Sequence, residues 1–227
     1  MYKPWVVEGE TPWEPDDFYG LSAAEAGLFT TWFVESAAVR IAALEAFIAA
    51  TPGFEGWRAD GSRESFERFG PWFLATMRML RTPEGRQVYA DRPLARSVSA
   101  DMGTYMAETL RHEGPRCAWE RWDDERDKFH NHPVLVWPKR RGKFCPIGTY
   151  IGDGLFIRAL PTNYYAVHFD ELLVIATYEP REYPPVPRRE GEPERSRCPR
   201  CGFVYGRVAM PEGVYCNHCG DLEKRTT

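Results

Sequence analysis

The stretches CPRCG at residues 198–202 and CNHCG at residues 216–220 decide the fold of the C-terminal part of this 227-residue chain. Their cysteines have the spacing C-x2-C-x14-C-x2-C. Two residues between thiolates allow one tight turn to bring both sulfurs to a single ion, and two such turns complete a tetrahedral site. The predicted ligands of one structural zinc ion are Cys198, Cys201, Cys216 and Cys219.

This segment resembles the zinc ribbon family over residues 198–221. The resemblance implies a metal-ligand role for the four cysteines and no other residue roles, and residues 203–205 and 213–215 are placed to supply short strands. A rubredoxin-like iron site and a thiol redox pair are the alternatives. Four thiolates leave no open position on the metal, so this spacing does not indicate catalytic zinc.

Residues 180–197 separate this segment from the rest of the chain. They include five prolines and nine charged residues in 18 positions, a composition that cannot bury enough apolar surface to offset its ordering entropy. We therefore predict an α+β body at 1–179, a Pro- and charge-rich linker at 180–197 and a zinc ribbon at 198–221.

The first half of the body is predicted to be helical. A capping box at Ser22 to Glu25 begins a long amphipathic helix that ends near residues 51–53. Residues 65–80 suggest two short helices divided at Pro71, and residues 97–112 a further helix. The apolar positions that indicate the first helix are Leu28, Trp32, Phe33, Ala37, Ile41, Leu44 and Ile48.

From Cys117 the apolar period changes towards two, which is typical of strands. The sequence thus predicts helices packed on an antiparallel β-meander, with a separate zinc ribbon. Residues 164–178 fit either a helix or a strand, and we favour a helix. The expected strands lie within residues 117–122, 134–137, 144–151 and 155–160.

Composition and charge exclude several classes of protein. The hydrophobic fraction of 43% with 14% aromatics is that of a folded chain. The net charge is −4, divided into −6 for residues 1–179 and +2 for residues 180–227, which argues against a dedicated nucleic-acid binder. We expect no membrane span and no secretory signal, since no apolar run is long enough and the N-terminal region is acidic. The expected location is the cytoplasm, where thiols stay reduced.

Several other groups of residues can be given a structural or a functional interpretation, and we favour the structural one for each. The basic run 139–143 suits a solvated hairpin tip more than a phosphate contact. His130 and His132 lie in a polar loop and lack a third ligand at motif spacing. Cys117 and Cys145 lie in no recognisable nucleophile signature, so they are expected to act as small core residues.

Trp119, Trp122 and Trp137 are more typical of core packing in strands than of a ligand groove. Residues 101–108 (DMGTYMAE), followed by Gly114 and Trp119, resemble small uncharacterised bacterial α+β proteins, some of them similar to immunity proteins of toxin systems. The resemblance implies a non-enzymatic binding protein and assigns no individual residue roles.

The sequence therefore favours a non-enzymatic, zinc-containing bacterial protein that acts as a protein-binding adaptor or immunity-like factor. An alternative is a nucleic-acid-associated accessory factor that uses the zinc ribbon and the basic tip. A third hypothesis is a hydrolase or transferase with a site built around the His130/His132 loop.

Overall fold

A computed structural model describes residues 1–5, 18, 20–81, 83, 85, 87–113, 117–137, 143–147, 169–170, 172–173, 207–210, 213–216 and 222–224. Within these residues the chain has four helices of 13 residues or more and eight short strands, all paired antiparallel, so the expected α+β class is confirmed for the described part. No described helix combines the length and the apolar character needed to cross a membrane.

The first predicted helix forms as two consecutive helices. The helix α1 spans Ala23–Glu35 and begins with the predicted capping box, in which the Ser22 side chain accepts from the Glu25 N–H. The helix α2 spans Ala37–Ala49. Ser36 between them keeps right-handed helical torsions, and the Arg40 N–H donates to its carbonyl, so hydrogen bonding continues through the junction.

The helix α3 spans Arg63–Thr76 and passes through Pro71, so the prediction of two short helices was wrong. Its buried side is aromatic, with Phe66, Phe69, Trp72 and Phe73 all fully buried. Burying each such side chain contributes about 1.5–3 kcal/mol. Together they outweigh the cost of about 3 kcal/mol for an interior proline.

A two-stranded hairpin follows, formed by β1 (Met79–Arg81) and β2 (Gln87–Tyr89), where the sequence had suggested the end of a helix. The helix α4 then spans Arg92–Glu113 and begins five residues before the predicted start at residue 97. The Asp91 carboxylate accepts the Leu94 N–H at 3.0 Å, which caps this earlier start.

The antiparallel meander predicted from Cys117 is confirmed for three strands, but the third ends at Phe144 and not near residue 151. The strands are β3 (Ala118–Arg121), β4 (Pro133–Val136) and β5 (Lys143–Phe144), paired antiparallel in the order β3-β4-β5. Pro146 has no N–H to donate to a neighbouring strand, and Pro146 and Ile147 are helical. The fourth expected strand, at 155–160, lies outside the described residues. Phe169, Asp170, Leu172 and Leu173 have helical conformation, in agreement with the favoured helix.

Two hydrophobic clusters hold these elements together. The helix α1 packs against β3 and β4 through a cluster that includes Phe18, Phe29 and Val134. The helix α2 packs against α4 through a larger cluster that also holds the aromatic side of α3. The strands β3 and β4 therefore cover one side of α1, and α4 covers one side of α2.

The C-terminal strands are β6 (Arg207–Met210), β7 (Gly213–Cys216) and β8 (Leu222–Lys224). They form an antiparallel sheet in the order β6-β7-β8, in which Arg207 pairs with Cys216. The strand expected at 213–215 is thus present, whereas residues 203–205 lie outside the described part of the chain.

Candidate protein-binding surface

The side of α1 and α2 that faces away from the two clusters is apolar. Three large side chains dominate it: Leu28 is 69% exposed, Trp32 41% and Val39 73%. Spacings of four and seven residues place them along one stripe of the two consecutive helices. We call this stripe, together with the exposed alanines at positions 24, 38, 42, 43 and 46, the outer face.

The outer face explains why the sequence placed two residues wrongly. Leu28 and Trp32 were expected on the packed side, but the buried positions of α1 are Ala26, Phe29 and Phe33. The helices carry apolar residues all round, so periodicity alone could not separate the covered side from the exposed one. Large apolar side chains that are exposed next to one another are typical of a protein-binding surface.

Trp32 is held in place although it is exposed. Its ring lies 5.5 Å from the ring of Trp5 and 5.5 Å from that of Phe29. The Arg40 guanidinium lies 5.8 Å from the Trp32 ring centroid. A large aromatic side chain that is already ordered loses little entropy on binding, which is a property of interface hot spots.

A buried ion pair lies beneath the outer face. Arg40 of α2 is 7% exposed and Asp101 of α4 is 1% exposed, and their side chains are in direct contact. The Asp101 carboxylate also accepts hydrogen bonds from the Tyr2 hydroxyl and, at 3.0 Å, from Trp5 Nε1. The N-terminal residues are thereby fixed to α4.

Further contacts satisfy the Arg40 guanidinium. It donates to the Phe33 carbonyl at 2.8 Å and to the Thr104 hydroxyl at 3.2 Å. It also lies 4.2 Å from the Phe33 ring centroid. Burial raises the pKa of Asp101 above its ordinary value, although the charge of Arg40 and the hydrogen bonds from its neighbours oppose that effect.

The motif at 101–108 has structural roles in this fold. Its residues Asp101, Tyr105 and Glu108 follow helical spacing, so α4 presents all three in one direction. The Tyr105 hydroxyl accepts the Gly61 N–H at 2.7 Å and lies 2.6 Å from Ser65 Oγ, and burial raises the pKa of Tyr105 to about 12. Glu108 accepts a hydrogen bond from Trp119 Nε1 at 2.6 Å.

Of the four expected zinc ligands, the structure describes only Cys216, the last residue of β7. Cys198, Cys201 and Cys219 lie outside the described residues. Elsewhere in the described part, no group of three or more His, Cys, Asp or Glu residues could hold a metal ion.

Cys117, Cys145 and His132 are buried, whereas His130 lines a surface cavity next to the start of α1. Cys117 and Cys145 are buried and form no disulfide, and burial raises the pKa of Cys117, which disfavours a thiolate. His132 is buried and stacks on Phe18 at 4.1 Å, and burial lowers its pKa. Cys117 therefore has the environment of a core residue.

The basic tip is described only at its last residue. Lys143 forms an ion pair with Asp127, and its Nζ lies 4.1 Å from the Trp122 ring centroid. Among the three tryptophans, Trp137 is fully buried and Trp119 is partly buried in the cluster beside α1. They form core rather than a groove, as the sequence indicated.

Sequence reasoning missed Arg40, Tyr2 and Trp5. Arg40 carried a signal, since it lies four residues before Leu44 and seven after Phe33 on the buried side of an apolar helix. Tyr2 and Trp5 carried none, because their hydrogen bonds to Asp101 span 99 and 96 residues of sequence. No family model, curated protein or solved structure matches this chain.

Proposed function

We propose that this chain is a non-enzymatic, zinc-containing protein that binds another protein through the outer face of α1 and α2. The observation that supports this proposal is the exposure of Leu28, Trp32 and Val39 along one stripe. Burying such side chains contributes about 1.5–3 kcal/mol each, so the stripe supplies a driving force for association. An adaptor or an immunity-like factor requires such a surface.

The charges on the two helices indicate the chemistry of the partner. Glu35 is exposed within the stripe, seven residues after Leu28 and four before Val39, and Glu25 is exposed near its start, whereas the one basic residue of the two helices, Arg40, is buried. Residues 1–179 carry a net charge of −6. We therefore propose a partner helix that has an apolar stripe bordered by Lys or Arg.

The C-terminal part is proposed to be a zinc ribbon that provides a second contact. The cysteine spacing supports this, as does an antiparallel sheet in which Cys216 ends the central strand. Arg197, Arg200 and Arg207 are placed in the sequence to offset the formal charge of −2 on zinc with four thiolates.

A pull-down from the native host tests the proposal. The full chain is compared with the variant Leu28→Glu/Val39→Glu, which puts two carboxylates into the outer face. Leu74→Glu is the matched control, because Leu74 is an exposed leucine of α3. We expect a nuclease-resistant protein that the control retains and the double variant loses at least tenfold.

Two further comparisons in the same pull-down identify the chemical class of the partner. Glu35→Lys should weaken retention several-fold at low salt and less at high salt, because screening reduces the contribution of exposed charges. Retention that disappears with nuclease would support the nucleic-acid alternative. A protein that the double variant retains as well as the control does would refute binding through the outer face.

A further inference from the structure

A cavity of about 500 Å³ lies between the start of α1 and the segment 121–131. Its lining consists of Leu21, Ala23, Arg121, Asp123, Glu125, His130 and Asn131. The volume falls in the range of small-molecule sites, and five of the seven lining residues are polar or charged, which suits a polar ligand.

Asn131 is a buried residue that lines this cavity. It is 1% exposed and adopts a left-handed backbone conformation with φ of 65°, which asparagine tolerates better than most residues. Its side-chain amide donates to the carbonyls of Phe18 at 3.0 Å and Leu21 at 2.9 Å. Its Oδ1 accepts from Arg121 Nη1 at 2.7 Å, so a rigid buried residue orients the guanidinium.

Arg121 is partly buried, yet its hydrogen-bond partner is this neutral amide. Among the residues that the structure describes, no carboxylate forms an ion pair with it. A partly desolvated guanidinium favours an anionic partner, and its fork of donors matches a carboxylate. The cavity therefore has one end suited to a carboxylate group.

Two carboxylates line the same cavity, those of Asp123 and Glu125. They would repel a simple anion, but they attract a ligand that also carries a positive group. We infer that this cavity binds a small zwitterion of the α-amino acid type, with its carboxylate on Arg121 and its ammonium group towards Glu125. This site is independent of the proposed protein-binding surface.

Calorimetric titration of the full, zinc-loaded chain tests the inference. The probes are glycine, L-leucine and L-lysine, with acetate and ethylammonium as ligands that carry one charge each. We expect at least one amino acid to bind with a Kd of millimolar or below, and each single-charge ligand to bind at least tenfold more weakly. Arg121→Met should weaken amino-acid binding at least tenfold.

Arg126→Met is the matched control, because Arg126 is exposed on the same segment and does not line the cavity. It should leave the Kd unchanged. Glu125→Gln, at an exposed position, should weaken amino-acid binding and leave acetate binding equal or stronger. Absence of binding by all three amino acids, equal binding by Arg121→Met, or acetate binding as tight as that of the amino acids would each overturn the inference.

Discussion

Arg40 is a buried basic residue that contacts several parts of the N-terminal half of the body. It is the sole Lys or Arg of α1 and α2, and it is buried against Asp101 with Phe33, Trp5 and Trp32 around it. Such a pair is weak evidence for net stability, because desolvation offsets most of the attraction between the charges. Breaking it from one side is costly, since the remaining charge is then buried alone.

We therefore predict strong coupling between Arg40 and Asp101. Arg40→Met and Asp101→Asn should each lower the free energy of unfolding by about 3–5 kcal/mol, and the double variant by much less than the sum. Denaturant unfolding of the four proteins measures this. Tyr2→Phe, which removes one hydrogen bond to Asp101, should cost about 1 kcal/mol. Additive effects would show that the two side chains do not act as a pair.

At the scale of elements, α3 shows why a local rule failed. The rule that proline ends a helix predicted a break at Pro71, yet four buried aromatic side chains keep α3 continuous. The exposed position of Pro71 keeps its ring out of the core. The cost of the missing hydrogen bond therefore remains in the folded state.

Pro71→Ala should accordingly stabilise the protein, by up to about 3 kcal/mol, because it restores an N–H donor and removes a clash with the preceding turn. A higher Tm and a higher denaturant midpoint with an unchanged slope are the expected results. A lower midpoint would mean that the proline provides packing that its exposed position does not indicate.

Features that depend on residues close together in the chain could be predicted from the sequence, whereas features that depend on contacts between distant residues could not. The capping box at Ser22 and the first two strands after Cys117 were predictable, because each depends on residues close together in the chain. The contacts of Tyr2 and Trp5 with Asp101 depend on tertiary packing. So does the exposure of Leu28 and Trp32, because α1 and α2 are apolar on both sides and only their neighbours decide which side is covered.

At the scale of the whole molecule, we predict that the body and the C-terminal segment fold independently. The purified chain should contain one zinc ion, and Cys216→Ser should lose it, because three thiolates bind zinc more weakly and a small metal site needs its ion to fold. Elemental analysis and far-UV circular dichroism measure the two effects. The helical signal of the body should persist, and its collapse would contradict the division at residues 180–197.

The outer face is the central feature of the proposed function, because it is the surface proposed to bind a protein. The most direct measurement is photo-crosslinking in the native host from benzoylphenylalanine at position 39, compared with the same group at position 74 on α3. We predict a discrete crosslinked protein from position 39, lost when Leu28→Glu is added, and none from position 74. Equal crosslinking from both positions, or crosslinks from position 39 to nucleic acid or to a second copy alone, would contradict the claim.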